Sequence, residues 1–387
     1  MVVTDGVIAD VGPHVPVPPG ARVVELDGHT LLPGLIDAHV HCATNPTDGR
    51  TSAGTDSSRQ LLGAIPALNT LLHNGFTTVR DLGCHIREPI TVSLRDAVEA
   101  GIVLGPSMVV APHIMSSRAG HGDESTGLGT GQSVELGALA DGVDSVLARV
   151  RAEVRAGADW IKFAASGGFT SSGDSPEDIG YSQPEMDALV AAAGDFNRPC
   201  AAHALGDRAV RRAVEAGVRS IEHGLLASAE TLALIERRGV FIVPTVYAAT
   251  TLIDKVDDDQ YWRTQPSELR DKLARYADPM LAALRRIARS DARIAFGTDA
   301  GVFPHEENRH EFAAMVHHGF TPERVLHAAT TVAADLLAMP DRGCVHPGAR
   351  ADLVAVPGNP FDDIEVMEHV DFVMRHGRVV RSPGADP

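Results

Sequence analysis

Two histidines separated by one residue, His39 and His41, end the apolar segment LIDAHVH. Side chains alternate along a strand, so both imidazoles are expected on the same face. Two imidazoles that converge on one face are suitable ligands for a divalent transition metal such as Zn²⁺. Two ordinary histidines on a half-buried strand would give the same pattern, so this pair alone does not decide for a metal site.

Three further groups of the right chemistry stand at the ends of apolar segments. His203 and His223 are the next-to-last residues of PCAAHA and RSIEHG, and Asp299 ends RIAFGTD. Each has an ordinary alternative, because a single histidine is often structural or solvated and an aspartate can cap a turn. Their joint occurrence favours one metal site. The predicted protein ligands with unmodified side chains are His39, His41, His203, His223 and Asp299.

Lys162 is one of only three lysines in the chain, and it lies inside the apolar run DWIKFAAS. Burial favours the neutral amine, which can react with CO₂ to give a carbamate whose two oxygens can bridge two metal ions. Arginine stays protonated and cannot do this. A salt-bridged or snorkelling lysine is the alternative, and the surrounding histidines favour N-carboxylation of Lys162.

Eight strand-like segments, most of them separated by helix-like patterns, are needed to position these groups. Strands that alternate with helices predict parallel crossover units, and eight of them predict an α/β protein with a (β/α)₈ TIM-like barrel. Active sites of such barrels lie at the C-terminal ends of the strands. An open doubly wound sheet is the competing fold, but no glycine-rich phosphate loop follows the first strand. The predicted strand segments are residues 35–41, 76–83, 107–112, 159–166, 199–204, 219–224, 240–245 and 293–299.

The two ends of the chain differ from its middle. Residues 1–34 and 346–387 contain short strand-like runs broken by Gly and Pro, without a helical pattern. They predict one small β-sandwich domain built from both termini, with the barrel over residues 35–345. The charged, helical segment 246–292 predicts an insertion after the seventh strand, on the active-site side of the barrel.

Composition narrows the class of partner. The chain has 387 residues, 44% of them hydrophobic and 22% charged, as in a folded protein. Its net charge of −17 argues against nucleic acid and anionic membranes and leaves a small-molecule substrate. Four dispersed cysteines without a CxxC pattern, and no visible signal peptide or membrane span, predict a cytoplasmic location. The oligomeric state is left open, a homo-oligomer being one option.

The motifs PGLIDAHVH, GADWIKFAASGG, AAHA, SIEHG and FGTDAG, with the tail PGARADLVAVPGNPFDDI, together resemble the amidohydrolase superfamily. The closest resemblance is to binuclear members with a carboxylated lysine, the imidazolonepropionase-like group. That group includes Xaa-Pro dipeptidase-like and Xaa-Arg/Lys carboxypeptidase-like enzymes. The resemblance implies two divalent ions, with zinc expected. His39, His41 and Asp299 would bind the more buried ion, carboxylated Lys162 would bridge both ions, and His203 and His223 would bind the outer one.

The resemblance also implies a reaction. A metal-bridging hydroxide would attack a carbonyl carbon, with Asp299 as the general base that passes a proton to the leaving nitrogen. The expected reaction is hydrolysis of an amide or peptide C–N bond in a dipeptide or an N-acyl amino acid. A cyclic amide, an imidazolone or a lactone remains an alternative substrate, and a non-catalytic scaffold on the same fold is a third possibility.

Substrate contacts are expected in the loops that follow the strands. In the carboxypeptidase-like relatives a histidine and a tyrosine at places comparable to His121 and Tyr247 hold the terminal carboxylate of the substrate. An imidazole and a phenol are reasonable donors for that purpose. Alternatively, His121 is a turn residue and Tyr247 packs under the insertion. Arg80, Arg118 and His305 are further candidates.

Overall fold

The computed structural model describes residues 1–44, 56–84, 88–123, 137–263 and 265–383. Each of the eight predicted strand segments contains a strand, and both ends of the chain contribute further strands. The strands are Val2–Thr4 (β1), Val7–Asp10 (β2), His29–Pro33 (β3), Leu35–Val40 (β4), Phe76–Asp81 (β5), Ser107–Val110 (β6), Ile114–Ser116 (β7), Ala138–Leu139 (β8), Ile161–Ala164 (β9), Cys200–Gly206 (β10), Ser220–Leu226 (β11), Phe241–Val243 (β12), Arg293–Ile294 (β13), Leu353–Pro357 (β14), Phe372–Arg375 (β15) and Arg378–Arg381 (β16).

The central strands form a parallel barrel, as predicted. One sheet has the order β4-β5-β6 and the other the order β13-β12-β11-β10-β9-β7-β8. The barrel closes where Val40 bridges Ala300 and where the amides of Thr298 and Asp299 donate to the carbonyl of His39. The residue that begins the predicted metal site therefore also joins the first strand to the last.

The third position of the barrel is divided between two short strands. β6 pairs with β5, whereas β7 pairs with β9, and a bridge between Cys84 and His113 joins the two parts. Pro112 lies between them and has no amide hydrogen to donate to a neighbouring strand. The single strand predicted over residues 107–112 is therefore shorter than expected and is followed by a second one.

Helices occupy the predicted positions between the strands, and the insertion after β12 is helical as expected. Three of them end at a glycine with positive φ, namely Gly157 (102°), Gly217 (93°) and Gly239 (65°). None of the described helices is long and apolar enough to cross a lipid bilayer. The α-helices are Ser57–His73 (α1), Ile90–Glu99 (α2), Val143–Ala156 (α3), Gln183–Gly194 (α4), Asp207–Ala216 (α5), Ala229–Arg238 (α6), Val246–Asp254 (α7), Asp259–Trp262 (α8), Ser267–Arg289 (α9), Glu311–His317 (α10), Pro322–His327 (α11) and Ala333–Leu336 (α12).

A separate antiparallel sheet combines both termini. β3 pairs with β14, and β15 and β16 complete the order β16-β15-β14-β3, while β1 and β2 form a two-stranded ribbon. The ribbon is attached by hydrogen bonds of Ile8 with Gly348 and Ala349. Ile8, Leu353 and Phe372 belong to a small apolar core of this part of the chain. The fold class is thus confirmed, whereas the domain limits at residues 34/35 and 345/346 remain predictions.

Gly297, which follows β13, is packed tightly against residues of β12 and β4. A Cβ atom at this position would lie 2.3 Å from Cγ1 of Val243 and 2.8 Å from Cβ of His39. Because a packed interior resists added volume, we expect Gly297→Ala to lower the unfolding free energy by about 1–3 kcal/mol, measured by urea denaturation. Gly63→Ala is the control, because that glycine lies in α1 with nothing within 4 Å of the added atom. Equal stability of both variants would contradict the prediction.

Candidate metal centre

The two histidines of the HxH motif lie at the end of β4, His39 within the strand and His41 directly after it, and both approach the same carboxylate. The Nε2 atoms of His39 and His41 lie 3.3 and 3.2 Å from Oδ1 of Asp299. One ligand atom from each of these three residues lies within 4.8 Å of the others. Two imidazoles and a carboxylate at this spacing can share one divalent ion.

The second ring nitrogen of three histidines is held by a fixed partner. Nδ1 of His39 lies 2.9 Å from Oε2 of Glu222, and Nδ1 of His41 lies 2.7 Å from the carbonyl oxygen of Gly83. Since both partners are acceptors, Nδ1 carries the proton and Nε2 keeps its lone pair for a metal ion. Nδ1 of His223 lies 2.8 Å from the hydroxyl oxygen of Thr245, which can accept or donate.

His203 and His223 lie next to this group, within β10 and β11, each three residues before the last residue of its strand. The ring centroid of His223 lies 5.1 Å from that of His39 and 4.8 Å from that of His203. Nε2 of His203 lies 3.2 Å from the carbonyl oxygen of Gly167. This contact uses Nε2 as a donor, so Nδ1 of His203 is the nitrogen that remains for a metal ion.

Lys162 projects from β9 into the same space. Its side chain is 2% exposed, and its Nζ atom has no hydrogen-bond partner among the described residues. Burial lowers the pKa of the amine to about 8, and the guanidinium of Arg80 adds to the effect against the attraction of Glu222 and Asp299. An unpartnered, buried amine of lowered basicity beside four imidazoles fits a group that becomes a metal ligand.

Two of the predicted ligands adopt backbone angles that are uncommon for residues with a side chain. His223 has a φ of 72° and Asp299 a φ of 65°, and Thr245, which holds His223, has a φ of 48°. Such conformations cost free energy and persist where the surrounding structure enforces them, often at functional sites. The sequence predicts that these residues lie near the ends of strands, but it carries no signal of this geometry.

Glu222 and Arg80 form a buried pair that the sequence did not reveal. The guanidinium of Arg80 donates to both oxygens of Glu222, at 2.9 and 3.1 Å, and to the carbonyl of Ala38. Both side chains are completely buried. Burial opposes ionisation, but Arg80 and then His39 lower the pKa of Glu222, which stays a carboxylate. Arg80, a candidate substrate contact from the sequence, is thus engaged inside the barrel.

Glu222→Gln should affect both stability and metal binding. The variant leaves the buried charge of Arg80 unpaired, which costs about 3–5 kcal/mol of unfolding free energy. It also removes the anionic acceptor of His39, and loss of such a partner lowers metal affinity about 10–100-fold. Urea denaturation and metal titration measure the two effects. The exposed Glu215, in α5, gives the matched control Glu215→Gln; unchanged stability and affinity in Glu222→Gln would contradict this role.

The predicted ligands line a pocket whose walls are mainly apolar. It encloses roughly 900 Å³, including its open mouth. The insertion contributes Leu252 and Met280 to the wall, in agreement with its predicted place on the active-site side. Other apolar lining residues are Ile114, Phe169, Leu205 and Leu225. Such a pocket suits a small organic substrate with an apolar group.

Among the predicted substrate contacts, His121 lies in this pocket. Its ring stacks on that of His203, with centroids 4.1 Å apart and an interplanar angle of 11°. Burial is the main cause that lowers the pKa of His121 to about 4. Its position agrees with a substrate contact, and that role stays a prediction.

Tyr247, Arg118 and His305, like Arg80, are not among the pocket-lining residues that the structure describes. The hydroxyl of Tyr247 donates to Glu307, at 2.8 Å, and the Tyr247 ring packs against Phe303. Arg118 is half exposed and pairs with Asp141. His305 is buried behind the ligands, with Nε2 3.2 Å from the carbonyl oxygen of His41. His305 thus contacts the backbone of the predicted ligand His41, and Tyr247 and Arg118 have protein partners.

Comparison with known proteins agrees with this geometry. The sequence pattern described as the amidohydrolase family matches residues 30–380. A crystal structure of a Xaa-Pro dipeptidase with bound methionine in the active site superposes with a TM-score of 0.92 at 32% identity, over 98% of this chain and 94% of that one. A prolidase complexed with N-methylphosphonate-L-proline gives a TM-score of 0.87 at 31% identity, over 98% and 94%.

A further relative is an ochratoxinase. The ochratoxinase of Aspergillus niger is 29% identical over 419 residues, which cover 100% of this chain and 84% of the relative. Its crystal structure superposes with a TM-score of 0.82 at 27% identity, over 100% of this chain and 92% of that one.

Proposed function

The chain belongs to the amidohydrolase family, and we propose that it hydrolyses the C–N bond of a dipeptide or an N-acyl amino acid. Its membership of this family and its similarity to known hydrolases identify the protein as an enzyme that acts on carbon–nitrogen bonds. The substrate class, a dipeptide or an N-acyl amino acid, is the more specific part of the proposal. It is supported by the relatives, two of which are a Xaa-Pro dipeptidase and a prolidase.

The predicted ligands that line the pocket would accommodate two divalent ions. His39, His41 and Asp299 would hold one of them, His203 and His223 the other, and a carboxylated Lys162 both. The unpartnered Nζ of Lys162, buried among these ligands, is the observation that carries this assignment. Bound divalent ions would supply a water of lowered pKa and an electrophile that polarises the scissile carbonyl.

Asp299 is the proposed general base. Burial would raise its pKa, but His39 and His41 in their protonated forms outweigh burial and keep it well below its ordinary value, and bound divalent ions would act in the same direction. The group is therefore ionised and able to accept a proton near the attacking water, and to deliver it to the leaving nitrogen. Nδ1 contacts of His39 and His41 hold the two rings that face this carboxylate.

A panel of substrates tests the proposal. The purified protein, loaded with Zn²⁺ and bicarbonate, is offered dipeptides, N-acyl amino acids, cyclic amides and lactones, and free amino acid or acid is measured. We expect turnover of a dipeptide or an N-acyl amino acid with an apolar group, because the pocket wall is apolar. Turnover of cyclic amides or lactones alone would overturn the substrate proposal and leave the metal centre standing.

A further inference from the structure

We propose that Lys272, in the insertion helix α9, is a positioning residue for substrate recognition. It acts through Asp174 and Ser171 on His121 in the pocket. The inference rests on the proposed function, because it assigns these residues to the substrate side of the same pocket. It concerns binding of the substrate rather than the metal ligands.

The ammonium group of Lys272 uses all three of its hydrogens on one loop. Nζ lies 3.0 Å from the carbonyl oxygen of Gly168, 2.7 Å from that of Ser171 and 2.9 Å from Oδ1 of Asp174. The side chains of Lys272 and Asp174 are only 11% and 4% exposed. An ammonium donates in three directions in space, whereas a guanidinium donates in one plane. This geometry explains a lysine in a chain that otherwise relies on arginine.

The same loop contacts His121 through the side chain of Ser171. The hydroxyl of Ser171 donates to the carboxylate of Asp174, at 2.7 Å, so its oxygen accepts from Nδ1 of His121, at 2.8 Å. Nδ1 therefore carries a proton whether the imidazole is neutral or charged. With one face stacked on His203, the ring is fixed and Nε2 is the nitrogen left for a substrate.

The same face of α9 also supplies the pocket wall. Lys272, Tyr276 and Met280 follow each other at intervals of four residues and so lie on one side of the helix. The ring of Tyr276 packs edge-on against Phe169, with centroids 5.9 Å apart. Phe169 and Met280 both line the pocket. One helix face thus fixes both the loop and the apolar surface that a substrate would contact.

A purely structural role for Lys272 predicts a different result from a role in recognition. If Lys272 only stabilised the loop, its loss would lower the melting temperature without a selective change in KM. If it positions His121, its loss should raise KM more than it lowers kcat and should leave the metal content unchanged. The ratio of the two kinetic constants therefore separates the roles.

The test uses the metal-loaded enzyme and three single variants. We expect Lys272→Met and Ser171→Ala each to raise KM about 10–100-fold, because a small displacement of a positioned group has an effect of this size. The double variant should be no worse than the more affected single variant, since both act in one chain of contacts. Lys255→Met, at an exposed position, is the control and should leave both constants unchanged.

A second measurement does not depend on turnover. In ¹⁵N-histidine NMR spectra the His121 signal, assigned with His121→Gln, should report a protonated Nδ1 in the wild type and loss of that fixed state in Lys272→Met. An unchanged KM and an unchanged His121 signal in Lys272→Met would overturn the inference. If no compound of the panel is hydrolysed, the proposed function fails, and the NMR result alone decides on Lys272.

Discussion

Lys162→Ala is expected to lower kcat/KM by about 10³-fold or more, because the proposed shared ligand of two ions would contribute several kcal/mol to stabilisation of the transition state. Removing the amine also removes the only site for carboxylation among these ligands, so the metal content should fall below two ions per chain. Lys162→Arg should be equally inactive, since a guanidinium stays protonated and cannot form a carbamate. Elemental analysis and steady-state kinetics measure the two effects.

Rescue by a small acid distinguishes a lost ligand from a collapsed site. The side chain of Lys162 is buried without a hydrogen-bond partner for Nζ, so its removal leaves space among the ligands. We expect acetate or propionate to restore part of the activity of Lys162→Ala but not that of Lys162→Arg. Lys255→Ala is the control, because Lys255 is exposed and pairs with Asp258. Full activity and full metal content in Lys162→Ala without added acid would contradict the assignment.

Asp299→Asn is expected to lower kcat by about 10²–10⁴-fold, the contribution of a positioned general base. An amide has nearly the same shape as a carboxylate but cannot take the proton, so KM should change less than kcat. The variant also weakens the site shared with His39 and His41, so metal content must be measured beside the kinetics.

Excess metal provides the decisive comparison for Asp299. If Asp299 acted only as a ligand, saturating Zn²⁺ would restore kcat in Asp299→Asn; if it is the base, kcat stays low when both ions are bound. Asp291→Asn, at an exposed aspartate close in sequence, controls for the general effect of losing a carboxylate. Wild-type kcat in a metal-saturated Asp299→Asn would reject the role as base.

The sequence was sufficient for the barrel because its periodic signals are local. The apolar segments and the helical patterns between them lie where the structure has strands and helices, including the insertion of α7 to α9. His39 and His41 could be placed on one face because side chains alternate along a strand. The division of the third strand escaped prediction, although Pro112 in that segment was a visible sign.

The partners of the ligands could not be read from the sequence. Glu222 contacts His39 across 183 positions of the chain, and its neighbour His223 drew attention instead. Lys272 contacts Asp174 across 98 positions. Such pairs depend on how strands and loops are brought together in three dimensions, and no local pattern records them. Tyr247 and Arg118 were selected by residue type and position. Neither criterion shows that Tyr247 is hydrogen-bonded to Glu307 or that Arg118 is paired with Asp141.

The double duty of His39 has a consequence for the dynamics of the chain. Its carbonyl accepts the amides of Thr298 and Asp299, while its ring faces the carboxylate of Asp299. Metal ions bound there would hold the first barrel strand, β4, against the segment that follows β13, the last barrel strand. Removing the ions with a chelator should therefore speed deuterium uptake by the amides of Thr298 and Asp299 first. Protease resistance of the apoprotein should decline in parallel, so occupancy of the centre would govern how long the enzyme survives as well as how fast it works.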